Sequence, residues 1–140
     1  MMKKDFKIFI SEEYDANRTD IFKLIKNGTL FKLTGAHKIT FRFRKNEPFN
    51  LEFKDRGNIF GTFSEIIPDT RVTLLWNVTG FGRDDEVNTK VTISLIKIYD
   101  GATVELHHTG IRNKSVVSIK ERAWKEILRD LKKELMARRM

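Results

Sequence analysis

The sequence predicts an α+β protein in which a curved antiparallel sheet wraps around one long C-terminal helix. Three observations carry that expectation. From Ser118 to about Met136 the apolar residues recur at helical spacing, and the polar ones fill the other face. From His37 to Gly110 apolar and polar residues alternate with a period of two, cut at short intervals by turn residues. Between the first strand and this region lies one more segment of helical period.

The elements follow in chain order. Phe6, Ile8 and Ile10 alternate with Lys7, Phe9 and Ser11, which predicts a first strand running to about Glu13. Over Asn17 to Lys26 the period changes, with Ile21, Phe22, Leu24 and Ile25 on one helical face and Asn27-Gly28 as a stop. Thr29 to Leu33 has room for one further helical turn before Thr34-Gly35. Ile39, Phe41 and Phe43 then lead into Asn46-Glu47-Pro48, and Phe49, Leu51 and Phe53 into Asp55-Arg56-Gly57-Asn58. Ile59, Gly61 and Phe63 form the next strand, ending at Pro68-Asp69-Thr70. Val72, Leu74, Trp76 and Val78 alternate with Arg71, Thr73 and Asn77. After a polar loop from Thr79 to Asn88, Val91, Ile93 and Leu95 continue the pattern to Tyr99. Asp100-Gly101 is a hairpin signal, and Val104, Leu106 and His108 complete the last strand. Short connections between successive strands favour antiparallel pairing, and polar alternate positions predict one solvated and one covered face.

The final helix is the cover. Trp124, Ile127, Leu128, Leu131 and Leu135 fall on one face, while Lys120, Arg122, Lys125, Arg129, Lys132 and Lys133 are assigned to the opposite one. Ser118 with Glu121 makes a capping-box pattern, and Glu121 with Lys125 and Glu134 with Arg138 are spaced for i,i+4 pairs. At 1.5 Å per residue the helix is roughly 28 Å long, enough to cross a small domain.

Composition narrows the function classes. The 140 residues, 40% hydrophobic and 33% charged, read as one soluble domain over 1–140 with no internal repeat or linker. No apolar run approaches the ~20 residues of a membrane helix. Met1-Met2-Lys3-Lys4 is followed by an apolar stretch too short and interrupted for a signal peptide, so a cytoplasmic protein is expected. The absence of cysteine removes disulfides, thiolate nucleophiles and Cys-ligated zinc. The net charge of +8 raises a nucleic-acid question. From Arg112 to the end there are ten Lys or Arg against four Asp or Glu, so most of the surplus sits on the last helix and its approach. No aromatic residues interleave with those charges as stacking platforms would, which argues for a solvated face.

The candidate chemistry is sparse. His107 and His108 are neighbours on a strand, point to opposite faces and cannot chelate one metal together. His108 shares parity with Val104 and Leu106 and is expected to face inward, as a polar contact for a ligand or a hydrogen-bonded core histidine. His37 falls in a loop. Asp84-Asp85-Glu86 gathers three carboxylates beside Arg83, but without spaced oxygen ligands they read as a solvated turn. No phosphate loop, dinucleotide fingerprint, nucleophile elbow or zinc-protease string occurs, so no catalytic residue, metal or cofactor is assigned.

Four stretches carry a resemblance: DFKIFISEEYDANRTDIFKLI, GNIFGTFSEIIPDTRVTLLW, TKVTISLIKIYDGATVELHHTGI and AWKEILRDLKKEL. Gly61 to Trp76 and Gly101 to Gly110 are their most diagnostic parts. Together they span about Asp5 to Leu135, and on them the chain resembles the activator of heat-shock-protein-90 ATPase homologue family. That family lies in the START-like, birch-pollen-allergen-like helix-grip superfamily. The resemblance implies a curved seven-stranded antiparallel sheet gripping the C-terminal helix, short helices after the first strand, and a cavity between sheet and helix. In many relatives the cavity takes a hydrophobic small molecule; in the eukaryotic activators the comparable domain binds the chaperone. Those activators carry a separate N-terminal domain for which these residues leave no room. The tryptophan pair that many bacterial relatives show after the first helices is replaced around Leu30 to Leu33.

The expected function is therefore a non-enzymatic binding protein with a hydrophobic cavity. A chaperone-binding module and an enzyme on a polyketide-like substrate are the alternatives. Phe22, Phe41, Phe43, Phe63, Trp76, Phe81, Leu106, His108, Trp124 and Leu128 are the candidate cavity residues, Phe81 as a lid or a loop anchor.

Overall fold

Strands that follow one another in sequence lie side by side, with one exception that closes the architecture. The computed structural model describes residues 5–138; the Met1-Met2-Lys3-Lys4 start lies outside them. Its single antiparallel sheet contains β1 (Phe6–Tyr14), β2 (Lys38–Phe41), β3 (Pro48–Glu52), β4 (Asn58–Ile67), β5 (Arg71–Thr79), β6 (Glu86–Ile98) and β7 (Gly101–Ile111). The seven strands run in the order β1-β7-β6-β5-β4-β3-β2. Helices α1 (Arg18–Lys26) and α2 (Thr29–Lys32) carry the chain from one edge of the sheet to the other, and α3 (Val117–Arg138) crosses the concave face. This is the expected α+β helix-grip architecture. Among the described residues no helix is long and apolar enough to cross a membrane.

Local chemistry sets the element ends. The Asn17 side chain accepts from the Asp20 N–H at 2.9 Å and caps α1. Gly28, at φ +89°, separates α1 from α2, and a Cβ there would sit 3.0 Å from the Phe41 ring. Position 61 takes glycine for a different reason: a Cβ would stand 1.7 Å from the Leu75 carbonyl oxygen across the β4–β5 pair.

The capping-box reading of Ser118 and Glu121 needs correction. A 3₁₀ turn (Lys114–Val116) runs directly into α3, so the chain is already helical when it reaches Ser118. The capping role falls to Asn113, whose side chain accepts from the Ser115 N–H at 3.0 Å. The apolar stripe is as expected: Trp124, Ile127, Leu128, Leu131 and Leu135 are all buried. Glu121–Lys125 and Glu134–Arg138 pair at 3.1 and 3.9 Å.

The helix is pinned at its C-terminal half. Tyr14, at the end of β1, is buried, and its hydroxyl donates to the Leu128 carbonyl. Burial, with Glu12 nearby, pushes the Tyr14 hydroxyl pKa well up, so it remains a donor. Lys132 reaches over the same ring, 5.3 Å from its centroid, and pairs with Glu12 at 3.2 Å. Tyr14→Phe should cost ~1–2 kcal/mol in chemical denaturation with the fold intact. An unchanged midpoint would mean that this hydrogen bond contributes nothing net.

Aromatic rings fill the space from the short helices to the middle of α3. Phe22 meets Phe43 at 5.6 Å, Phe43 meets Phe63 at 5.3 Å, and Phe63 meets Phe49 at 5.7 Å. Phe49 reaches Trp76 at 5.6 Å, and Trp76 reaches Trp124 at 5.2 Å. Phe31 and Phe41 pack on the same chain of rings. At the α1–α2 side the interior is therefore a packed core. The opposite end is not closed.

Candidate functional site

A cleft of about 470 Å³ opens where the sheet curves away from the N-terminal half of α3. Trp76 and Val78 of β5, His108 of β7, and Ile119, Ala123, Trp124 and Ile127 of α3 form its walls. Ile59 of β4 and the rings of Phe53 and Phe81 complete the apolar lining. Phe53 follows β3 and Phe81 follows β5; the two rings meet edge to face at 5.2 Å, which places Phe81 at the cleft as well as anchoring its loop. A volume of this size suits a small organic molecule.

The polar groups inside are committed to one another. The indole N–H of Trp124 donates to Nδ1 of His108 at 3.0 Å. Indole is a donor only, so Nδ1 is the unprotonated nitrogen and Nε2 carries the proton. That Nε2–H donates to the Thr89 hydroxyl at 2.9 Å, and the hydroxyl donates to the Trp76 carbonyl at 2.6 Å. His108 and Thr89 are each 1% exposed. Burial first, and the Lys120 charge second, hold the His108 imidazole at a pKa of about 3. Both ring nitrogens of His108 thus have hydrogen-bond partners within the protein.

A bulge explains how this relay is assembled. Trp76 pairs with Thr89, but Val78 pairs with Glu86, so β6 carries one extra residue, with Asn88 at φ +61°. Strict alternation would turn Glu86 outward; the bulge turns it in, and it is 7% exposed. Its carboxylate accepts from the N–H groups of Arg112 and Asn113 at 3.1 and 3.3 Å, holding the approach to α3. Asp85 accepts from Gly80 and Phe81 at 3.1 and 2.6 Å. Reading Asp84-Asp85-Glu86 as a merely solvated turn is thus corrected for these two residues: they organise the backbone beside the cleft. Likewise β6 starts at Glu86, inside what reads as a loop.

Lys120 is also placed differently from its expected position on the polar face. It lies one turn before Trp124, lines the cleft, and donates to the Asp84 carbonyl at 3.2 Å. Burial lowers its pKa, while Glu86, Asp84 and Asp85 pull it back up. Lys54, Arg56 and Asp84 also border the cleft.

Of the ten candidate cavity residues, Trp76, Phe81, His108 and Trp124 line the cleft. Phe22, Phe41, Phe43, Phe63, Leu106 and Leu128 lie instead in or against the packed core. Ile119, Ala123 and Lys120 also line the cleft, and the sequence carries a signal for them. Ile119, Ala123 and Ile127 run at i, i+4, i+8, and Lys120 stands four residues before Trp124. Thr89 and Glu86 had no such signal, because the bulge decides their facing. Among the described residues no group of three or more His, Asp or Glu could hold a metal ion.

Fold and cleft together define the class: a helix-grip domain with an apolar, end-opening cleft between sheet and helix. Within it, the chain belongs to the family described as Activator of Hsp90 ATPase homolog 1-like protein, whose model matches residues 15–136. Among solved structures it is similar to protein MLL2253 from Mesorhizobium loti, with 14% identity, 95% of this chain and 98% of the other covered, and a TM-score of 0.82. It is similar to PFC0360w, an HSP90 activator from Plasmodium falciparum, with 21% identity, coverages of 92% and 95%, and a TM-score of 0.75. It is also similar to norcoclaurine synthase from Thalictrum flavum, with 11% identity, coverages of 100% and 99%, and a TM-score of 0.73. No curated protein matches. Identities this low carry the fold alone, and the fold hosts both a chaperone activator and an enzyme.

Proposed function

We propose that this protein binds a small, largely apolar molecule in the cleft beside Trp124 and performs no chemistry on it. The observation that supports this most is the cleft's lining: two indoles and several aliphatic side chains surround about 470 Å³. Two of the groups that could do acid–base work are engaged in the fold, and Lys120 and Asp84 at the cleft form no nucleophile–base pair with them. His108 is neutral with both nitrogens occupied, and Tyr14 is buried against the C-terminal half of α3. Binding replaces water on these apolar walls and gains roughly 25 cal/mol per Å² of surface covered.

The experiment is native mass spectrometry of the protein purified from its own host, followed by tryptophan-fluorescence titration of any molecule found. A stoichiometric apolar molecule that quenches Trp76 and Trp124 is the expected result. Protein that leaves its host empty and binds no apolar probe overturns the reading. A second reading, a chaperone-binding module, draws on the family description and on the Plasmodium activator. It would use an outer surface and leave the cleft's occupancy irrelevant, so co-purification of a chaperone unaffected by Trp124→Ala would favour it.

A further inference from the structure

The lining of the cleft is sorted by exposure, with Lys54 and Arg56 exposed. Its buried walls, Trp76, Val78, Trp124 and Ile127, are apolar, and among the described residues no buried side-chain nitrogen or oxygen lacks a hydrogen-bond partner. A ligand carrying a polar group to that depth would give up its water and find no partner. Any polar group therefore belongs at the mouth.

The mouth carries three cations. Lys54, Arg56 and Lys120 border it with Asp84, and the charges of Glu86 and Asp85 also reach Lys120. Among the described residues none of the three cations has a carboxylate within ion-pair distance, whereas five such pairs form elsewhere. The Lys120 ammonium donates only to a main-chain carbonyl. The other carboxylates near it, Asp85 and Glu86, are turned onto backbone N–H groups. Lys120 is thus a half-buried cation with donors to spare, one helical turn from the indole of Trp124.

We propose that the ligand class of this cleft is the amphipathic anion: an apolar body against Trp76 and Trp124, and one carboxylate held at the mouth by Lys120, Lys54 and Arg56. This rests on the small-molecule reading above. It adds the sign and the place of the head group.

The test uses three probes with one body: pyrenebutyrate, pyrenebutanol and pyrenebutylammonium, titrated by fluorescence at low and high salt. Pyrenebutyrate is expected to bind about tenfold tighter than the alcohol, and the ammonium weakest, because a partly desolvated ion pair worth about 1.4 kcal/mol is a factor of ten. Lys120→Met should remove most of that preference, bringing the acid's affinity down toward the alcohol's. Because Lys120 is half-buried, the double variant Lys54→Ser, Arg56→Ser provides a second arm at two exposed positions. It should reduce the preference and its salt dependence. Equal binding of acid and alcohol overturns the anionic-head proposal while small-molecule binding stands. Binding of none of the three overturns both.

Discussion

Trp124→Ala lowers the stability of the protein by ~3–5 kcal/mol, read as a shift of the urea midpoint. Trp124 is 4% exposed and stands where the aromatic chain of the core meets the cleft. Its removal takes away the contact with Trp76 and the donor to His108 Nδ1. On the cleft side the void communicates with solvent, so water can enter and relieve part of the cavity term, which favours the lower half of the range. Trp124→Phe is the partial truncation. It retains part of the ring's contact and loses the N–H donor with the rest of the indole, so it should cost less than alanine, ~2–3 kcal/mol. A midpoint for Trp124→Ala indistinguishable from the parent would mean that α3 does not dock through this residue, and the grip on the helix would have to be reassigned.

That residue also marks the boundary between what the sequence makes legible and what it does not. The helical face from Trp124 to Leu135 and the inward parity of Val104, Leu106 and His108 follow from periods of 3.6 and 2, and all of these side chains are buried. Periodicity says which way a residue points, but not how far the opposite layer stands from it. Phe63 and Trp76 both face the helix side; one is sealed among Phe31, Phe43 and Phe49, and the other borders open space. The difference lies in the curvature of the sheet, a property of seven strands together. Parity itself fails where a bulge intervenes, as at Asn88, and Glu86 is turned inward against the alternation. Lys120 departs from the expected polar face for a simpler reason. Its charge suggested solvent, although its position four residues before Trp124 put it on the cleft side.

Acid should expose the His108 relay more clearly than any truncation. The imidazole is held at a pKa of about 3, below its ordinary value of 6.5, chiefly by burial and secondarily by the Lys120 charge. The geometry gives an independent reason. A proton on Nδ1 would point at the Trp124 N–H, donor against donor, so charging the ring requires the bond to break. The sign follows from linkage. Between about pH 6.5 and pH 3 the unfolded chain binds a proton at this residue and the folded chain does not, so stability rises with pH across that window. It is fully present above the unfolded value and falls by up to about 1.4 kcal/mol per pH unit as pH drops below it, roughly 4–5 kcal/mol over the window. Carboxylates also titrate there, so the measurement is a difference. Urea unfolding of the parent and of His108→Gln, at intervals from about pH 7 to about pH 4, isolates the histidine because every other group is common to both. The parent should start the more stable at neutral pH and lose its advantage steadily on acidification, with the curves converging or crossing before about pH 4. Two curves that stay parallel throughout would show that His108 titrates alike in folded and unfolded chains, and the relay from Trp124 through His108 to Thr89 would not be the arrangement that exists in solution.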